Sequence, residues 1–162
     1  MGGGNKRVNL KVDSVYSLVD IMDVEDGWQT CHQLKALARD GKSRVLYELA
    51  MLKQQQEPDH KKLLRALRLA GENPRVTNPR HVKQGKVHKD IFEMRADKGL
   101  ARLMFFYAPP DETVVCTELF RKTDGGKDGQ DTAFRRSEAM RQAYLEQLKA
   151  ENREDGHDKR KK

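Results

Sequence analysis

Residues 88–123 read HKDIFEMRADKGLARLMFFYAPPDETVVCTELFRKT, and this stretch decides the fold class. It holds three extended runs, His88 to Arg95, Leu100 to Tyr107 and Thr113 to Phe120, rich in aromatic and β-branched residues. The breaks, Asp97-Lys98-Gly99 and Pro109-Pro110-Asp111-Glu112, have the length and composition of hairpin turns. An antiparallel meander follows. Alternation in the first run puts Ile91, Glu93 and Arg95 on one face and Phe92 and Met94 on the other. In the second run Arg102 shares a face with Leu100, Met104 and Phe106, so a guanidinium interrupts an apolar strand. A buried cation has to be paired, and Glu93 is the matching carboxylate. A purely structural Glu93–Arg102 pair and a catalytic role are both consistent with that pattern.

Upstream of the meander, residues 8 to 21 (VNLKVDSVYSLVDI) read as one strand or a bent pair. From Trp28 the period shifts to helical spacing, with Cys31, Leu34 and Ala38 on one stripe and Val45, Leu49 and Leu52 on another, separated at Asp40-Gly41. Glu57-Pro58-Asp59 reads as a stop and a new start, with Asp59 capping a helix that buries Leu63, Leu67 and Ala70 and closes at Gly71. Residues 72 to 87, with two Asn-Pro steps and Gly85, predict a basic connection that is neither helix nor central strand. After a Gly/Asp-rich loop from Thr123 to Gln130, the stripe Met140, Tyr144, Leu148, with Phe134 at its start, predicts a last helix from about Asp131 to Lys149. The charged tail 151–162 is expected to be disordered, leaving one domain over 1–150.

The composition, 36% apolar and 35% charged over 162 residues, fits one small globular domain. No run approaches the roughly 18 apolar residues of a membrane span, and Met1 to Asn5 lacks the apolar centre of a signal peptide, so a cytoplasmic protein without membrane contact is expected. Cys31 and Cys116 are too few and too far apart for a disulfide framework or a CxxC knuckle. The five histidines show no HExxH spacing, so neither a metal site nor any other cofactor is expected.

The net charge of +7 is not spread evenly. Residues 59 to 107 carry 12 basic and 5 acidic side chains, while the segments on either side are balanced. Lys61, Arg65 and Arg68 line one helix face, and Arg75, Arg80, Lys83, Lys86 and Lys89 follow with no acidic residue between Glu72 and Asp90. Such a run suits a polyanion, nucleic acid first and an acidic partner protein second, and a single concave basic surface is expected. Ala36 to Ser43 (ALARDGKS) is similar to a phosphate loop, but that reading requires a strand before it, where the period suggests helix.

The order IFEMR, turn, ARLMFFY, turn, VVCTELFRKT, helix resembles the RelE/HigB-type toxins of bacterial and phage toxin-antitoxin modules, particularly a phage-derived HigB-like branch. The resemblance spans residues 88 to 123 and reaches the two preceding helices. It implies an α+β fold in which a small twisted antiparallel sheet, the meander plus an N-terminal strand, is packed by an N-terminal helical pair and a C-terminal helix. It further implies a ribosome-dependent, metal-free mRNA endonuclease that inhibits translation, whose partners are mRNA, the ribosome and a cognate antitoxin, a helix-turn-helix protein. A non-catalytic RNA- or protein-binding module of the same fold is the alternative. By this resemblance Arg102 stabilises the phosphate, Arg95 is structural or faces phosphate, and Arg121 and Lys122 grip RNA. The resembled enzymes use strand lysines where this chain has Glu93, and an aromatic acid where it offers only Phe134 and Tyr144, so Glu93, His88 or Lys89 would have to move the protons.

Overall fold

The computed structural model describes residues 15–122 and 126–161, with side chains of the last helix described from 129 to 153. Six strands form one sheet: β1 (Tyr16–Asp20), β2 (Leu34–Arg39), β3 (Val82–Gln84), β4 (Phe92–Arg95), β5 (Ala101–Ala108) and β6 (Thr113–Arg121). Three helices cover it: α1 (Arg44–Gln55), α2 (Glu57–Glu72) and α3 (Gly126–Lys161). The strand order is β1-β2-β6-β5-β4-β3, antiparallel throughout except for the parallel pair β2 and β6. The expected α+β class, meander and helical pair are all present. The N-terminal strand enters the sheet beside β2, and residues 8–14 of the predicted segment lie outside the described residues.

α1 and α2 pack on one face of the sheet, burying Val45, Leu49, Leu52, Leu63, Ala66, Leu67 and Ala70 against Leu34, Met94, Leu103, Phe105, Val114 and Cys116. α3 covers the other face, setting Ala133, Phe134 and Tyr144 on Leu37, Ile91, Met104, Phe106 and Val115. Because β5 is covered on both sides, ARLMFFYA needs no apolar/polar alternation, and all but Tyr107 in it are buried. Thr117 is the extra residue of a bulge, since Met104 pairs with Glu118 but Phe105 with Cys116. Its hydroxyl shares a hydrogen bond with the Ser137 hydroxyl at 2.7 Å, joining α3 to the bulge.

Several local expectations change. Residues 34–39, predicted helical, form the inner strand β2, second from the sheet edge, and only a short 3-10 turn (Asp26–Trp28) lies between it and β1. Leu34 and Ala36 face one helical layer and Leu37 the other, so the apolar positions of a strand buried on both sides imitated a helical stripe. Asp40 and Gly41, at φ of 53° and 79°, turn the chain from β2 into α1. Pro58 lies in the first turn of α2, where its missing N–H costs nothing. Asp59 is therefore inside the helix, and its carboxylate accepts the Leu100 N–H at 3.1 Å, latching the β4–β5 turn.

Gly71 does not close α2, which continues to Glu72. It is buried, and a Cβ there would collide with the Trp28 carbonyl and stand 2.9 Å from Leu34 Cδ1. The connection 72–87 contains an edge strand, β3, and the first meander strand begins at Phe92 rather than His88. α3 starts at Gly126 instead of Asp131, and its backbone is helical beyond Lys149 to Lys161, into the segment expected to be disordered. Among the described residues no helix is long and apolar enough to cross a membrane.

Candidate nucleic-acid interface

The sheet's registers bring charged side chains together on the face that α3 covers. Lys83 pairs with Glu93 across β3 and β4, and Arg95 pairs with Arg102 across β4 and β5. Glu93 is fully buried. Its Oε2 accepts a hydrogen bond from Gln130 Nε2 of α3 at 2.7 Å. Its Oε1 lies 3.3 Å from Arg95 Nε and 3.8 Å from Arg102 Nε. Neither contact is aligned as a hydrogen bond, so one oxygen serves two guanidinium groups by charge alone.

Both arginines are also tied to backbone. Arg102 Nη1 donates to the Gly99 and Ala101 carbonyls at 2.9 and 3.0 Å, and Arg95 Nη1 donates to the Pro79 carbonyl at 3.2 Å. Burial, then the adjacent Arg95, pulls the Arg102 pKa below its ordinary value, while Glu93 and Asp59 push it back. Glu93 is thus the counter-charge that lets two cations occupy adjacent strands in a low-dielectric site.

Beside this cluster, the loop 85–91 and the start of α3 enclose a groove of about 640 Å³. The loop is held by hydrogen bonds from Gly85 N–H to the Ile91 carbonyl (2.9 Å) and from Ile91 N–H to the His88 carbonyl (3.1 Å). Gly85 is required here, because a Cβ would press into the His88 carbonyl and stand 2.9 Å from the Phe134 ring. Lys83, Lys86, His88 and Lys122 line the groove from the sheet and loop, and Gln130, Asp131, Phe134 and Arg135 line it from α3. Among the described residues, Lys83, Lys86, Lys122 and Arg135 form no ion pair. Among the described residues, four cations and one carboxylate around a concave surface suit a nucleic-acid backbone.

The expected single basic surface is not formed. Lys61, Arg65 and Arg68 belong to α2 on the opposite side of the sheet, and Arg68 is spent on Glu72 at 3.0 Å and on the Trp28 ring. Arg80 pairs with Asp97 at 3.7 Å. Arg75 lies 3.9 Å from the Tyr107 ring centre and pairs with Glu112 at 3.1 Å. Lys89 is exposed in the loop without lining the groove. Arg121 and Lys122, adjacent in sequence, part company: Lys122 lines the groove, while Arg121 borders a cleft with Tyr47 and Met51 of α1. Thr123 lies outside the described residues.

Sequence reasoning missed Gln130, Asp131 and Arg135. The available signal was the polar run GQDTAFRR, residues 129–136, near the start of the helix that begins at Gly126. The phosphate-loop reading of 36–43 does gain its strand. However, Arg39 and Lys42 bond each other across a two-residue turn, and the Ser43 hydroxyl already accepts the Leu46 N–H at 3.3 Å. That helix start is therefore capped by its own chain. Tyr144 is a core residue against Phe106, and burial raises its pKa. Among the described residues no group of three or more His, Cys, Asp or Glu side chains converges in the manner of a metal site.

Residues 32–138 match the model of a family described as phage derived protein Gp49-like (DUF891). The matched span runs from β2 into α3 and includes the buried cluster and the whole groove. No curated protein and no solved structure matches the chain.

Proposed function

The chain belongs to the phage-derived Gp49-like family, and we propose that it is a RelE/HigB-type toxin, a metal-free endoribonuclease that cleaves ribosome-bound mRNA and is restrained by a cognate helix-turn-helix antitoxin. The observation that carries this reading is the groove whose four cations have no ion-pair partner among the described residues, laid against the Arg95–Glu93–Arg102 cluster.

In such a cleavage the ribose 2′-oxygen attacks the adjacent phosphorus, the 5′-oxygen leaves, and negative charge builds on the non-bridging oxygens. Lys83, Lys86, Lys122 and Arg135 stand where they can hold the backbone and meet that charge. Arg102 and Arg95 add positive potential from behind, where the low dielectric lengthens its reach.

A reconstituted translation reaction with mapped RNA ends tests the reading. Wild-type protein is expected to cut mRNA on the ribosome, and Lys83→Ala/Lys122→Ala to cut at least ~100-fold more slowly with its thermal unfolding little changed. Intact transcripts in the wild-type reaction would sink it.

A second reading, a non-catalytic RNA- or protein-binding module, is favoured by the burial of Glu93 and Arg102, with Glu93 Oε2 and Arg102 Nη1 already hydrogen-bonded within the protein. In that case the wild type binds single-stranded RNA without cutting it. The slope of log affinity against log salt then falls by about 0.7 for each lysine removed.

A further inference from the structure

We propose that the two proton transfers of this cleavage belong to His88 and Asp131, which approach the groove from its loop wall and its helix wall, with Asp131 as general base and His88 as general acid. The inference rests on the endonuclease reading and deepens it.

The other groups able to move a proton near the groove are committed elsewhere. Glu93 is fully buried behind Gln130 and serves two arginines. Tyr144 is packed in the core beneath α3, and Tyr107 packs against the α1/α2 side of the sheet. The four cations of the groove meet phosphate as charges. Among the described residues that leaves one imidazole, half-buried, and one exposed carboxylate on the groove walls. Imidazole is the side chain suited to giving up a proton near neutral pH, and an ionised carboxylate can accept one.

Both are held by anchored backbone. The His88 carbonyl receives the Ile91 N–H, and Gly85 allows the loop to press on Phe134. Asp131 follows Gln130, whose amide is fixed to Glu93, so the buried cluster sets where the helix wall begins. Glu93 and Gln130 are positioning residues in this arrangement. Lys83, Lys86, Lys122 and Arg135 line the same groove, so a phosphate held by them lies between the two walls that carry His88 and Asp131.

The step balances without a co-reactant. Asp131 takes the 2′-hydroxyl proton as the 2′-oxygen bonds to phosphorus, the bond from phosphorus to the 5′-oxygen breaks, and that oxygen receives the His88 proton. The products are a 2′,3′-cyclic phosphate and a 5′-hydroxyl.

Ribosomes programmed with mRNA carrying sulfur in place of the leaving 5′-oxygen at the cut site test the assignment, because a thiolate leaves without a proton. His88→Ala is expected to cut ordinary mRNA about 100-fold more slowly than wild type and the sulfur-substituted mRNA at nearly the wild-type rate. Asp131→Asn is expected to be slow on both. An equal deficit of His88→Ala on both substrates, or full activity of either variant on ordinary mRNA, overturns the proposal and leaves the endonuclease reading standing. A wild-type protein that cuts neither substrate removes both.

Discussion

Replacing Arg102 by methionine is expected to destabilise the fold severely, before any effect on activity is considered. The side chain is 8% exposed and its Nε faces Glu93 Oε1 at 3.8 Å. Removing it also strips the Gly99 and Ala101 carbonyls of a charged donor. Hydrogen bonds to charged groups contribute about 1.5–3 kcal/mol. Breaking a buried ion pair by deleting one member costs about 3–5 kcal/mol, because the remaining charge stays buried. The two costs overlap here, so a loss of about 3–5 kcal/mol is expected, a large share of the roughly 5–15 kcal/mol that keeps a domain folded.

The assay is equilibrium urea unfolding of wild type, Arg102→Met, Glu93→Gln and the double variant. Arg95 remains opposite Glu93 at 3.3 Å in the first variant and shares the cluster in all of them. The double variant should therefore lose less than the sum of the singles, by about 1–3 kcal/mol. Lys122→Ala, exposed at the groove, should stay within about 0.5 kcal/mol of wild type. Two results would refute the reasoning: Arg102→Met within 1 kcal/mol of wild type, given that buried-pair cost of about 3 or more, or single effects that simply add. The consequence for function is practical. Loss of cleavage in an Arg102 variant is not by itself evidence of contact with phosphate, which is why the groove lysines, His88 and Asp131 are the informative positions.

Gly71→Ala should cost about 1–3 kcal/mol by overpacking, since its Cβ has no room between the Trp28 carbonyl and Leu34, and the Gly71 carbonyl also receives the Cys31 and His32 N–H groups; a thermal melt matching wild type would count against that close approach. The two thiols should separate cleanly in a native titration with a disulfide reagent near pH 8, where exposed Cys31 reacts at once and buried Cys116 only after unfolding. Burial pushes the Cys116 thiol up from 9.0 to about 12, so the unfolded chain releases that proton first. Its contribution to stability is complete below pH 9 and is lost as pH rises toward 12, at up to about 1.4 kcal/mol per pH unit. A Cys116→Ala variant with the same alkaline slope as wild type would contradict this.

Legibility in the sequence differed from element to element. The meander was readable because its two turn clusters are chemically explicit and the runs between them are apolar and β-branched. The pairing of Glu93 with Arg102 was also readable, because strand alternation assigns faces locally and a buried guanidinium demands a carboxylate. β2 was not, since a strand covered on both sides carries the same apolar density as a helix, and Leu34 and Ala38 happen to lie four apart.

The sequence by itself therefore determined the meander, the amphipathic stripes of α1 and α2, the buried charge pair and the location of the excess charge along the chain. Only the tertiary structure decided which of those charges share a surface. α2 turns Lys61, Arg65 and Arg68 to the far side of the sheet, whereas α3, from a segment without excess charge, delivers Gln130, Asp131 and Arg135 to Lys83, His88 and Lys122. The physical reason is that local periodicity specifies which face of an element is apolar, while the element's partner, chosen by packing over long sequence separations, specifies where its polar face points.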